Sequence, residues 1–92
     1  MSLGPVGCRI LSKLTEAFAP HQLLVEDQSE AHAGHAGARP EGETHFSVKL
    51  VSKAFEGKSR IERHRMVNGA LAEELAARVH ALAITAKAPG EP

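Results

Sequence analysis

The sequence is poor in cysteine and in aromatic residues. Its 92 residues include one cysteine, Cys8, three phenylalanines, and neither tryptophan nor tyrosine. A single cysteine excludes an intrachain disulfide and is typical of a reducing compartment, so we predict a cytoplasmic protein. The N-terminus has no signal-peptide or transit-peptide pattern, and no apolar run approaches the roughly 20 residues that span a bilayer.

Charge balance and length restrict the function further. Eleven basic and eleven acidic residues cancel, which argues against a nucleic-acid binder that relies on net positive charge alone. The 92 residues are predicted to form a single domain spanning 1–92. So short a chain encloses an enzyme pocket with difficulty, and no Ser-His-Asp, P-loop or GxGxxG pattern occurs. We therefore predict a non-enzymatic binding or adaptor protein.

The N-terminal part of the chain predicts a helix, a strand and a long loop. Pro5 suits the first turn of a helix over residues 4–18, whose apolar residues recur at helical spacing. A short strand follows at 21–27. Residues 28–42 have no apolar period and are rich in histidine, glycine and alanine, which predicts a loop long enough to suggest a functional role.

The C-terminal part predicts a strand, a helix and a second strand. Residues 44–52 alternate between apolar and polar side chains, which indicates a strand with one buried face. Ser59 and Glu62 form a predicted capping box that begins a helix running to about Ala77. A last strand is predicted at 79–85, and 87–92 form a short polar tail. The apolar stripe of the helix consists of Ile61, Val67, Leu71 and Leu75.

These elements predict an α+β fold with the order α-β-β-α-β. The first two strands pair as an antiparallel hairpin, and the helical connection between the second and third makes that pair parallel. We expect a three-stranded mixed sheet with the helices packed mainly on one face.

Histidine is the residue type in surplus, with six in the chain. His32 and His35 lie three residues apart in the predicted loop. This spacing allows both to bind one metal ion, but the motif alone lacks the further ligands that a metal site needs. His45 is expected on the exposed face of its strand, with a structural or incidental role. His64 falls within the apolar stripe and is expected to pack there. His80 stands at the start of the last strand, where it can still reach solvent.

Three segments stand out, and they are ETHFSVKLVSKAF at 43–55, FEGKSRIERHRMVNGALAEEL at 55–75 and VHALAI at 79–84. On these segments the sequence resembles the BolA family, and the resemblance extends over nearly the whole length of the chain. The RHRMV and VHAL runs are specific in combination. The resemblance implies a class II KH-like fold, which agrees with the element order reached from the residues.

The resemblance also implies a function. Proteins of this family partner monothiol glutaredoxins and share a bridging [2Fe-2S] cluster, to which glutathione supplies a thiolate. It implies His80 as one ligand and a histidine of the 28–42 loop as another. DQSEAH matches the family's loop pattern at His32, although Gln28 stands where glutamate is usual, and His35 is a second candidate. The expected role is iron–sulfur cluster assembly, trafficking or iron sensing.

The alternative function is that of a DNA-binding transcriptional regulator, a role also described for this family. Its candidate surface is the turn and helix start between residues 53 and 65, where basic side chains outnumber Glu56 and Glu62. Such side chains contact phosphates. The predicted contacts are Lys53, Lys58, Arg60, Arg63 and Arg65.

Overall fold

The computed structural model describes residues 3–28, 44–77 and 79–91. The predicted loop therefore lies outside the described residues except for Gln28, and so do His32 and His35. The elements are α1 (Pro5–Phe18), β1 (Gln22–Asp27), β2 (His45–Val51), a 3₁₀ helix (Lys53–Phe55), α2 (Arg60–Ala70), α3 (Ala72–Ala77) and β3 (Ala81–Lys87).

The three strands form one mixed sheet in the order β1-β2-β3. β1 pairs with β2 in antiparallel fashion, and β2 pairs with β3 in parallel, with His45 opposite Ala81 and Val51 opposite Lys87. The predicted α+β class and strand directions are thus confirmed. Because β2 and β3 run in parallel, both begin at one end of the sheet, named here the starting end, and both stop at the other, the finishing end.

The helices cover one face of the sheet, as predicted. The β2 side chains of Phe46, Val48 and Leu50 are at most 2% exposed on this face. Phe18 and Phe55 close it near the finishing end with ring centroids 5.0 Å apart. The helices contribute buried apolar side chains at the spacing expected of amphipathic helices, and these are Val6, Ile10, Leu14, Phe18 and Val67. Leu71, between α2 and α3, is buried with them.

The opposite face of the sheet carries no described helix. By strand alternation it presents the side chains of Leu24, His45, Lys49, Ala81 and Ala83. Leu24 is 49% exposed, and the two alanines are also exposed. His45 therefore belongs to the uncovered face, at the starting end.

Three details of the predicted βαβ unit are wrong. The helix is not continuous to Ala77, because it breaks at Leu71, whose backbone (φ −107°, ψ 20°) leaves the helical region and ends α2. Ile61 was predicted to belong to the buried apolar stripe of the helix, but it is 65% exposed. The first turn of α2 extends beyond the part of the core that faces the sheet. The last strand spans 81–87, not 79–85, because Val79 and His80 give their N–H groups to Glu74 and Thr44 before regular pairing begins.

Candidate functional site

His80 lies at the starting end of the sheet, and contacts made by α3 position the chain just before it. Glu74, whose side chain is 4% exposed, is held by Lys13 of α1 at 2.9 Å and by Arg9 at 3.6 Å. A carboxylate so far removed from water requires such partners. The carbonyl of Glu74 accepts the N–H of Val79 at 3.0 Å. The position of the residue before His80 is therefore linked to α1 through the ion pairs of Glu74.

Thr44 fixes the backbone of His80 at the start of β2. The Thr44 carbonyl accepts hydrogen bonds from the N–H of His80 at 2.7 Å and of Ala81 at 3.2 Å. Thr44 itself is 1% exposed, whereas His80 is exposed. An exposed imidazole on a fixed backbone is thus presented at the starting end.

His45 lies beside His80. The two ring centroids are 6.4 Å apart and the ring planes differ by 30°. His45 is half-buried, and its Nδ1 lies 2.8 Å from the Thr44 hydroxyl oxygen. Sequence reasoning gave His45 no part in the site, since the parallel register that places it opposite Ala81 has no local signal in the sequence.

Both ends of the segment that carries His32 and His35 are attached at this same end of the sheet. The N–H of Gln28 donates to the His45 carbonyl at 2.8 Å, and Thr44 precedes β2 directly. The described chain therefore stops at Gln28 and resumes at Thr44 beside His45 and His80, while His32 and His35, predicted as ligands, lie outside the described residues.

Imidazole is the metal-binding group that the described residues bring together. Within residues 3–28, 44–77 and 79–91, no three His, Cys, Asp or Glu side chains converge as a complete metal site. Cys8 is exposed on α1, where its Sγ lies 3.6 Å from the Leu3 carbonyl oxygen. The starting end thus offers a pair of imidazoles rather than a thiolate site.

A second feature, a basic cleft of about 400 Å³, lies between the start of α2 and the second half of β3. Arg63 is already bound within it. Its guanidinium contacts Glu91 at 2.6 and 2.9 Å and donates to the carbonyls of Lys58 and Ala86. Hydrogen bonds from Arg63 and from the Ala88 N–H hold the pKa of Glu91 at about 2. The cleft is lined by Lys58, Arg60, Arg63, His64, Ile84, Thr85, Ala86 and Lys87.

The other four predicted phosphate contacts are exposed, and two of them, Lys58 and Arg60, line this cleft. Lys53 lies in the 3₁₀ helix and Arg65 lies in α2. The predicted capping box is present. In this capping box the Ser59 backbone N–H donates to the Glu62 carboxylate, and this hydrogen bond lowers the pKa of Glu62. A negative charge therefore lies at the start of α2. The half-buried His64 lines the cleft, so it lies at the rim of the core.

A family model described as BolA-like protein matches residues 14–91. The chain belongs to the BolA-like family. Human BolA-like protein 1 is 48% identical to it over 90 residues, covering 98% of this chain and 63% of that protein. The BolA domain of SufE1 from Arabidopsis thaliana, a solved structure, matches 99% of this chain and 100% of that domain with 47% identity and a TM-score of 0.89.

The family relatives differ in length and in the compartments that their names give. SufE-like protein 1, chloroplastic/mitochondrial, of Arabidopsis thaliana is 47% identical over 95 residues, which cover 99% of this chain but 26% of that protein. The chain thus spans between about a quarter and two thirds of these relatives. A cytoplasmic location stays a prediction. No helix in the described part of the chain is long and apolar enough to cross a membrane.

Proposed function

We propose that this protein is a non-enzymatic accessory factor in iron–sulfur cluster assembly, trafficking or iron sensing. It acts as a heterodimer with a monothiol glutaredoxin, and the two proteins hold a [2Fe-2S] cluster between them together with glutathione. His80 is the ligand from the structured part of this chain, and His32 or His35 is the ligand from the loop.

The observation that carries the proposal is the exposed imidazole of His80 at the starting end of the sheet. Its backbone is fixed by the Thr44 carbonyl, and a second imidazole, His45, stands 6.4 Å from its ring. The segment with His32 and His35 is attached beside it at Gln28 and Thr44. Membership of the BolA-like family supports assigning this concentration of imidazoles to metal binding.

The donor groups suit a shared cluster. Iron in a [2Fe-2S] centre is held by cysteine thiolates, with histidine replacing cysteine in some proteins, where it raises the reduction potential. This chain has a single cysteine, so it cannot supply a complete set of thiolates. A partner thiolate and glutathione would complete the set. When bound, the cluster supplies iron and electron-transfer chemistry, while this chain contributes neutral imidazole ligands.

A titration tests the proposal. A monothiol glutaredoxin loaded with its cluster and glutathione is titrated with this protein, and visible absorption and circular dichroism are followed. We expect a new spectrum that saturates at one molecule of this protein per glutaredoxin, with loss of the glutaredoxin homodimer in size analysis. An unchanged spectrum with no complex would contradict the proposal.

The His80→Ala variant tests the ligand assignment within the same titration. We expect it to fold like the parent protein, because His80 is exposed, and to lose or alter the new spectrum, because one iron ligand is missing. The matched control is His21→Ala, since His21 is also exposed but lies at the finishing end, where its N–H donates to the Val51 carbonyl. A parent-like spectrum for His80→Ala would remove His80 from the ligand set.

DNA binding stays a prediction without an observation in its favour. Of the five predicted phosphate contacts, Arg63 is bound to Glu91 and to two backbone carbonyls inside the cleft. Glu62 adds a carboxylate beside Lys58 and Arg65. The exposed charge available for a phosphate backbone is therefore smaller than the sequence indicated.

A further inference from the structure

Thr44 joins the two histidines of the starting end through two different groups. Its carbonyl accepts the N–H groups of His80 and Ala81 at 2.7 and 3.2 Å. Its hydroxyl oxygen lies 2.8 Å from Nδ1 of His45. One residue that is 1% exposed therefore sets the backbone of His80 and the ring orientation of His45.

The side chains of Thr44 and His45 form a contact that strand pairing does not require. The parallel pairing of β2 with β3 needs the Thr44 carbonyl, since that group takes the N–H groups at the start of β3. The pairing makes no use of the Thr44 hydroxyl or of the His45 ring. A hydrogen bond to one ring nitrogen fixes the orientation of an imidazole, and metal sites use such bonds to hold their ligands.

The His45 ring lies beside the His80 ring. Its plane lies within 30° of the His80 ring plane at a centroid separation of 6.4 Å, within the range of packed aromatic pairs. His80 is exposed, so few other groups among residues 3–28, 44–77 and 79–91 restrict its rotamer. A neighbouring ring of fixed orientation limits the directions in which the His80 imidazole can turn.

We propose that Thr44 and His45 are positioning residues that hold the His80 imidazole in the orientation required to bind iron. The inference rests on the proposed function, because it takes His80 as a ligand of the shared cluster. It assigns to His45 a role through His80 rather than direct coordination. It also assigns the Thr44 hydroxyl a role separate from that of the Thr44 carbonyl.

The first test uses the protein without metal. Imidazole ¹H–¹⁵N correlation spectra are recorded for the parent protein and for Thr44→Val, Thr44→Ser and His45→Phe. Thr44→Val keeps the side-chain shape and removes the hydroxyl, and we expect it to shift the ring signals of both His45 and His80. Thr44→Ser should restore the parent positions of these signals.

The His45→Phe variant tests the ring of His45. It keeps a ring beside His80 but loses Nδ1, and it should also shift the ring signals of His80. His21 serves as the internal control, and unchanged amide signals of Val48 report an intact fold.

The second test is the glutaredoxin titration with the same variants. We expect Thr44→Val and His45→Phe to weaken uptake of the shared cluster by roughly 10- to 100-fold, the usual effect of removing the partner that orients a metal ligand. Thr44→Ser should bind like the parent protein. Pulsed EPR of the reduced cluster should still show a histidine nitrogen coupled to iron in both weakened variants.

The outcomes separate the two proposals. Failure of the parent protein to take up the cluster would overturn the proposed function and this inference with it. Parent-like uptake and unchanged His80 ring signals in both Thr44→Val and His45→Phe would overturn the inference alone. Loss of a nitrogen coupling in His45→Phe, with the His80 coupling retained, would also overturn it, because His45 would then be a ligand.

Discussion

The central strand β2 has a buried hydroxyl residue on either side, and the two are used differently. Thr44 precedes the strand and is 1% exposed, and Ser52 follows it and is 0% exposed. The Ser52 hydroxyl donates to the Phe18 carbonyl at 2.6 Å and accepts from the Ala54 N–H at 3.1 Å. The Thr44 hydroxyl instead meets the ring nitrogen of His45. One hydroxyl binds backbone groups, and the other binds a side chain of the candidate site.

This difference extends to the two ends of the sheet. At the finishing end, Ser52 links α1, the 3₁₀ helix and β3, since its N–H also donates to the Lys87 carbonyl. The Arg63–Glu91 pair adds a charged link between α2 and the chain after β3. At the starting end, the described contacts lead to imidazoles. We conclude that the finishing end holds the fold together and that the starting end presents the site.

The variant expected to cost most stability is Ser52→Ala. It leaves the buried Phe18 carbonyl and the Ala54 N–H without their hydroxyl partner, and an unsatisfied buried polar group costs about 1–3 kcal/mol. We expect the free energy of unfolding, measured by urea denaturation, to fall by about that amount. Uptake of the cluster from glutaredoxin should be unchanged under conditions where the variant is folded.

Two controls bound that prediction. Ser12→Ala changes an exposed serine on α1 and should alter the free energy of unfolding by less than about 0.5 kcal/mol. Thr44→Val should show the converse pattern, with weakened cluster uptake. If Ser52→Ala weakened uptake as much as Thr44→Val does, the two ends would not be functionally separate.

A smaller loss is expected from Ser59→Ala at the start of α2, which borders the basic cleft. The Ser59 hydroxyl accepts the Glu62 N–H at 3.1 Å, and removing such a cap costs about 1 kcal/mol. Urea denaturation of Ser59→Ala and of Ser59→Asp, which retains an N-cap acceptor, measures the effect. Equal stability of the two variants would show that the cap contributes nothing here.

The sequence predicted the fold well where a pattern is local. Phe46, Val48 and Leu50 alternate and are buried together, and the Ser59–Glu62 capping box lies where its spacing indicates. The break at Leu71 was missed because Val67 and Leu71 are both buried, so the apolar spacing continues across it. The glycine at position 69 was the available signal, since glycine disfavours a helix interior.

The site was harder to predict because its contacts join residues far apart in the chain. His80 could be named from the resemblance, and its place at the start of the last strand from alternation. Its neighbour His45 is set by the pairing of β2 with β3, which no local pattern specifies. The Arg63–Glu91 pair likewise joins residues 28 positions apart. Arg63 was therefore predicted as a phosphate contact, although its guanidinium group binds the Glu91 carboxylate of the same chain.

The smallest expected effect is that of Glu91→Gln, and its sign depends on pH. The folded protein holds the pKa of Glu91 at about 2, below its ordinary value of 4.5, because Arg63 and the Ala88 N–H bind the ionised carboxylate. A lowered folded-state pKa means that the carboxylate stabilises the fold above about pH 4.5, and that this contribution disappears as pH falls toward 2. The effect should be modest, since the Glu91 side chain is 41% exposed.

Unfolding free energies of the parent protein and of Glu91→Gln, measured between pH 7 and pH 2.5, check this charged link. The difference should be constant from pH 7 to about 4.5 and should narrow below it. Glu56→Gln, in the exposed turn before α2, is the matched control, and it should change the free energy of unfolding by less than about 0.5 kcal/mol at pH 7. A difference that stayed constant to low pH would mean that Glu91 contributes through the shape of its side chain, and the charge of the Arg63–Glu91 pair would then add no stability to the finishing end.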